Sequence, residues 1–425
     1  MTISTKSSGF TAIGPSGEHG APVTPRVLDR PTDRILSGPF VVAVTAMFLY
    51  FVFVGMLIPT LPVFVEEGLG GGELAIGATV VAFAIGAIAV RPLITWIGER
   101  NGRRTLMVWG GAIAAVAGAA LAAVDSVAAI MPLRAAMGVG EAALFVGAST
   151  LVADLSPPER RAESASYLSA AVFGGISIGP ILGELALGED RFAFAFLSAA
   201  ACSALAAIVS LWAPVRVGPP PAPETVARPR AVWLHSAAVL PGVVLALGIA
   251  GWTAFTTFVP TYVDDLGMSG SAAVFALYSA LCFVLRIVGA KVPERIGLSR
   301  AVNTALVLLA LGLFVIAGVP QAIGLYGATV LIALGVTFFY PSLLAASVNA
   351  VPESERVGVV SSFTMFFEVG TALGGLVLGL VGEFAGKRAT FAAGGLIVIA
   401  GVVVLDLMLV PRMKRADPAV VDAPT

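Results

Sequence analysis

Glu141 and Arg134 are the residues of this chain hardest to explain as packing. They lie seven positions apart in one long apolar run, about two helical turns, so a helix there carries both on one face. A charged side chain at the centre of a membrane-spanning helix costs about 2.5–3.5 kcal/mol, and such residues normally face a cavity or a partner. Dehydration favours the neutral form of a carboxyl group, and a nearby guanidinium favours the charged form. A carboxyl group held between those tendencies can load and release a proton. The plainer alternative is a structural Arg–Glu pair bridging helices.

Glu368 is a second acid inside an apolar run, following Phe363, Met365, Phe366 and Phe367. It suits proton coupling, a cationic substrate, or a hydrogen bond to a neighbouring helix. Glu184, nearer the end of its run, is a third coupling candidate, or simply an interfacial residue. Gly175, Gly179 and Gly183 recur every four residues, which permits close helix approach, and Pro180 removes one backbone bond among them. His19 and His235 lie outside the apolar runs, and Cys202 and Cys282 read as small packing residues. No metal site, cofactor, disulfide framework or nucleophile–base set emerges, and no Walker-type phosphate loop occurs. An enzyme is not expected, nor is a nucleic-acid partner.

The elements that must position these groups follow from composition. The chain of 425 residues is 58% hydrophobic and 12% charged. Soluble domains carry about 25% charged residues. The apolar residues fall into blocks long enough to cross a hydrocarbon core of about 30 Å. Continuous runs without ten-residue alternation argue for helices rather than a barrel. Twelve spans are expected, near 39–65, 74–98, 104–124, 126–154, 162–187, 191–213, 234–262, 269–291, 300–318, 320–350, 357–382 and 388–411. The fold class is therefore an all-α membrane protein of twelve transmembrane helices. Residues 1–38 read as a disordered tail, not a cleavable signal peptide, and residues 412–425 as a second tail. Residues 214–233, rich in Pro and Arg, read as a linker between six-helix halves at 39–213 and 234–411.

The halves resemble each other. Glu99-Arg100-Asn101-Gly102-Arg103-Arg104 returns, weakened, as Glu294-Arg295-Ile296-Gly297-Leu298-Ser299, 195 residues later. Leu61-Pro62-Val63-Phe64-Val65-Glu66-Glu67 pairs with Val259-Pro260-Thr261-Tyr262-Val263-Asp264-Asp265, and Glu159-Arg160 with Glu355-Arg356. Arg91 and Arg286 each precede a loop acid by eight residues. Their long stems suit anchors reaching toward the membrane interface, more than substrate contacts. Three matches in order at nearly one spacing imply parallel halves. The tails, the linker and the even-numbered loops hold most of the 25 basic residues. By the positive-inside rule, both termini face the cytoplasm. The opposite loops hold only Arg191, Lys387 and Arg388 among basic residues, beside Glu66, Glu67, Asp125, Asp264 and Asp265.

Spans, repeat and loop together resemble the major facilitator superfamily over residues 39–411. Arg100, Gly102, Arg103 and Arg104 match the family's loop pattern; Thr95 replaces its first Gly and Glu99 its Asp. Arg134-Ala-Ala-Met-Gly138-Val-Gly140-Glu141 is similar to the family's fourth-helix motif. The Gly175–Gly183 segment, with Pro180, is similar to the fifth-helix motif of its proton-exchanging exporters, with Glu184 in place of a last Gly. The resemblance implies a cytoplasmic gate at Glu99, Arg100, Gly102, Arg103 and Arg104, with Asp154 as a partner and Glu294 and Arg295 as the second copy. It also implies that Tyr50, Phe53, Trp252, Phe255, Phe338, Tyr340 and Phe367 line a central cavity. Few fixed polar groups there favour amphipathic organic molecules over sugars. The expectation is a monomeric exporter in the inner (plasma) membrane, exchanging protons for a small organic molecule within the lipid bilayer. An uptake permease of the same fold, or a non-transporting receptor or scaffold, are the alternatives.

Overall fold

The computed structural model describes residues 27–28, 37–156, 161–188, 191–217, 234–288, 296–349, 351 and 356–411. Helices dominate. The first bundle comprises α1 (Gly38–Val63), α2 (Glu73–Ala89), α3 (Arg91–Asn101), α4 (Arg103–Ala120), α5 (Val127–Leu155), α6 (Arg161–Leu187) and α7 (Phe192–Ser210). The second comprises α8 (Ser236–Asp265), α9 (Ala272–Val288), α10 (Leu298–Gly318), α11 (Ala322–Asn349), α12 (Arg356–Ala385) and α13 (Lys387–Val404). Among the described residues, ten helices are long and apolar enough to cross a membrane, an eleventh arises if α2 and α3 form one bent span, and Ala272–Arg286 is a shorter apolar helix. The expected second span is thus broken. Pro92 has no N–H to bond back into α2, and the chain turns by 41° there.

Large apolar side chains stand on the outside, among them Val116, Leu185, Phe384, Val288 and Leu407. Such a surface suits lipid rather than water. Within the first bundle, α1 packs on α6 and α7, and α5 lies between α2 and α4. Within the second, α8 packs on α12 and α13, and α10 on α11 and α13. The bundles meet where α2 lies along α12, α6 along α9, and α1 against α8.

The two ends of the molecule differ in charge. At one end, the turn between α3 and α4 depends on Gly102, with φ +87°, and its copy Gly297 takes φ +86°. Only glycine enters that region freely. Gly102 lies against the Val215 carbonyl, beside a two-residue strand β2 (Arg216–Val217). Parallel to it runs β1 (Val27–Leu28), so this part of the expected disordered tail is paired with the expected linker. This is the basic end. Glu66, Glu67, Glu73, Asp264 and Asp265 mark the acidic end, where α1 passes through a π-turn, Phe64–Gly68, into the α2 approach.

Candidate functional site

Arg134 and Glu141 do share one helix, α5, and both are partly buried. Arg134 is tied to α2. Its Nε donates to the Thr79 carbonyl at 3.3 Å, and its guanidinium stands 4.6 Å from the centre of the Phe83 ring. It also lies 3.7 Å from the Met137 sulfur. Gly86 and Gly138 let α2 and α5 approach this closely, since a methyl group on either would strike the other helix's backbone. Arg134 therefore braces α2 on α5, and it forms no direct ion pair with Glu141 among the described residues.

Across the bundle interface, α12 carries Glu368. Glu141 and Glu368 are close enough to interact electrostatically, and Arg91 interacts with both. Neither carboxyl group makes a hydrogen bond or ion pair among the described residues. Tyr50, whose hydroxyl donates to the Met137 carbonyl at 3.3 Å, lies in the field of both acids. Two acids from two bundles thus lie within one another's field and that of a shared guanidinium, a placement in which holding one proton changes the environment of the other site.

Arg91 is the functional neighbour that sequence reasoning undervalued. It does not reach toward the membrane interface; its NH1 donates to Thr364 Oγ1 on α12 at 3.2 Å. The bend before Pro92 points it across the bundles. Its repeat mate does likewise: the Arg286 guanidinium on α9 lies 3.5 Å from the centre of the Phe173 ring on α6. The signal was their equal spacing before two loop acids.

Glu184 stands apart from this cluster. It accepts from the Ser271 backbone N–H at 2.6 Å and from the Ser271 hydroxyl, joining α6 to the start of α9 at the acidic end. Its partner set is that of a contact between the bundles, away from Glu141 and Glu368. Lys387 makes the larger clasp. Its Nζ donates to Glu66 Oε1 at 2.8 Å and to the Thr261 carbonyl at 2.9 Å, with Glu73 at 3.8 Å and Asp265 at 3.9 Å. The Leu74 N–H donates to Glu383 at 3.3 Å nearby. A lysine in loops otherwise rich in acids was the available signal for it.

At the basic end, Arg103 Nε pairs with Asp154 Oδ2 at 3.2 Å, and Arg103 NH1 donates to the Gly98 carbonyl. That pair joins α4 to α5 within one bundle. Arg100 lies over the Trp96 ring, and Arg104 is the second residue of α4. The side chain of Glu99, and the whole of Glu294 and Arg295, lie outside the described residues. Gly175, Gly179 and Gly183 face α1, where methyl groups would meet Phe48, Gly55 and Met56 backbone atoms; Pro180 is buried beside them.

The aromatic residues divide. Tyr50, Phe53 and Phe255 are fully buried in packing, which corrects their assignment to a cavity wall. Helices surrounded by other helices on every side bury such rings. Trp252, Phe338, Tyr340 and Phe367 are partly exposed. Trp252 donates to the Tyr278 hydroxyl at 3.0 Å and sits 6.2 Å from Phe367, which is 6.4 Å from Tyr340. No cluster of metal-ligating side chains occurs among the described residues.

Known proteins resemble this one over most or part of its length. An uncharacterized MFS-type transporter of Salmonella typhimurium is 24% identical over 376 residues, covering 86% of this chain and 95% of that protein. The quinolone resistance protein NorA of Staphylococcus aureus is 29% identical over 166 residues, 39% of this chain and 42% of its own. Among solved structures, the nucleoside transporter NupG superposes with a TM-score of 0.72 at 16% identity, over 87% of this chain and 100% of that one. A peptide transporter POT does so with 0.74 at 17% identity, over 91% and 97%. The profile of the Major Facilitator Superfamily matches residues 43–326 and again 273–425. With that profile spanning nearly the whole sequence and these helices set around buried charge, the chain belongs to the Major Facilitator Superfamily and is a multi-pass membrane transporter.

Proposed function

We propose that this transporter exports a small amphipathic organic molecule in exchange for protons, by alternating access between two six-helix halves. The observation that carries this reading is that Glu141 and Glu368, one from each bundle, lie within electrostatic reach of each other, with neither engaged in a hydrogen bond or ion pair among the described residues. Carboxyl groups so placed can take a proton from one side of the membrane and release it to the other as the bundles rock. In this reading the basic end is cytoplasmic, the acidic end faces outward, and the molecule works as a monomer in the inner membrane. The clasps of Lys387 and Glu184 hold the outer side closed, and the turn at Glu99–Arg104 gates the inner side. Export is supported by the Gly175–Gly183 motif and by the partial similarity to a protein named for quinolone resistance.

One charge moving down 100 mV releases about 2.3 kcal/mol. At 1.4 kcal/mol per factor of ten, that sustains a substrate gradient of roughly fifty-fold. Inverted membrane vesicles with an acidified lumen provide the test, challenged with a panel of amphipathic drugs that includes a quinolone. A transported compound should release lumenal protons, and Glu141→Gln should abolish that release with the protein still present in the membrane. Full proton-coupled transport by Glu141→Gln would remove Glu141 from the mechanism.

A further inference from the structure

Among the described residues, the charges buried inside the helices do not balance. Arg91, Arg134 and Arg286 stand against Glu141 and Glu368. Arg134 is held by the Thr79 carbonyl and the Phe83 ring, and Arg91 shares the field of both carboxyl groups. Among the described residues, Arg286 is matched by neither a carboxylate nor a carbonyl hydrogen bond. It lies against the Phe173 ring, and its Nε is buried without a hydrogen-bond partner among the described residues. Among the described residues, the ionisable groups it senses are Cys282, Tyr278 and Tyr340, none of them a carboxylate. A partly buried guanidinium with neutral company is costly, and charged residues in membrane spans ordinarily pair with one another or with backbone carbonyls.

We propose that the substrate supplies that partner: the site takes an organic anion, with its carboxylate, sulfonate or phosphonate on Arg286. Tyr340 interacts with both Arg286 and Arg91, so an acidic group at Arg286 lies at the edge of the central cluster. The guanidinium fork matches such groups with two parallel hydrogen bonds. The apolar part of the molecule lies along Tyr340, Phe367 and Trp252, which form a connected aromatic wall. This assignment rests on the transport reading above and narrows it. It is consistent in direction, because an anion leaving and a proton entering are both favoured by a negative interior.

Binding without any gradient tests it. The full-length protein is placed in phosphatidylcholine nanodiscs and titrated with three probes sharing one ring system: naphthalenesulfonate, naphthylmethyl-trimethylammonium and naphthylmethanol. The sulfonate should bind at least tenfold more tightly than the ammonium. Arg286→Gln should weaken the sulfonate roughly ten- to a hundred-fold, as the loss of a hydrogen bond to a charged group implies. It should leave naphthylmethanol unchanged, and Arg286→Lys should keep part of the affinity. A preference for the ammonium, which needs no variant to detect, would overturn the proposal, as would unchanged sulfonate binding in Arg286→Gln. Phosphatidylglycerol in the nanodisc should not displace the sulfonate; displacement would assign Arg286 to a lipid headgroup instead. Sulfonate binding without proton movement would keep the substrate class and remove the coupling, whereas proton-linked transport of cations alone would do the reverse.

Discussion

Replacing Lys387 by Met should loosen the acidic end. Lys387 and Thr261 belong to the same bundle, so their 2.9 Å contact survives any separation of the bundles. The 2.8 Å bond to Glu66 and the 3.8 Å approach to Glu73 exist only while the bundles touch. A hydrogen bond to a charged group contributes about 1.5–3 kcal/mol. The Glu66 side chain is 37% exposed, so water screens part of that, leaving about 1–2 kcal/mol specific to the closed state. The ratio of open to closed molecules should rise by a factor of about 5–30. Met keeps the stem and its packing while removing the charge. The readout is a cysteine at Val80, which faces Gly375 on α12, in a background with Cys202 and Cys282 replaced by Ala. Labelling of that cysteine by a membrane-impermeant maleimide from the acidic side should accelerate by the same factor. An unchanged labelling rate in correctly inserted protein would refute the assignment of Lys387 as a clasp.

Four further outcomes follow from the packing and from one ion pair. A methyl group at Gly77 would run into the Gly375 carbonyl, so Gly77→Ala should part α2 from α12 at a cost of about 1–3 kcal/mol and speed labelling at Val80 as well. Gly179→Ala should lower the thermal unfolding midpoint in detergent through a similar clash with Gly55, about 1–3 kcal/mol. Gly174→Ala, which meets only the Phe48 ring at 3.4 Å, should leave the midpoint nearly unchanged. The Arg103–Asp154 pair, with side chains 30% and 38% exposed, should contribute no more than about 1 kcal/mol to stability. If that turn gates the inner side, Arg103→Gln should still impair transport, and exchanging the two charges should restore it; normal transport by Arg103→Gln would leave the pair a role in topology alone.

Much of the architecture was legible because lipid leaves a coarse signature. Long apolar runs, the glycine row at Gly175–Gly183 and the sorting of Arg and Lys follow from local rules, whereas the break before Pro92 falls inside an expected single span. Arg103 and Asp154 could be matched because both sit at the same end of adjacent helices. The sequence was mute on which face of a helix meets what. A helix that is apolar all round carries no stripe to tell lipid from core from cavity, and so Tyr50, Phe53 and Phe255 read as wall when they are packing. Contacts between distant positions, such as Lys387 with Glu66, depend on how the bundles dock rather than on any spacing. The direction of Arg91 depended on a bend whose size no local pattern sets.

The seam between α2 and α12 is lined by Gly77, Gly375 and Gly379, backbone resting on backbone. Interlocked side chains would have to withdraw from one another, against their rotamer preferences, each time the bundles part. A smooth seam has nothing to disengage, and its surfaces can roll over one another through many turnovers without repacking. Grip is then delegated to the rim, to Lys387 and Glu184, where a few polar contacts can be made and broken quickly. In mechanical terms, the proposed rocking mechanism would separate its bearing from its latch, so the rate of rocking and the resting position could be tuned by different residues.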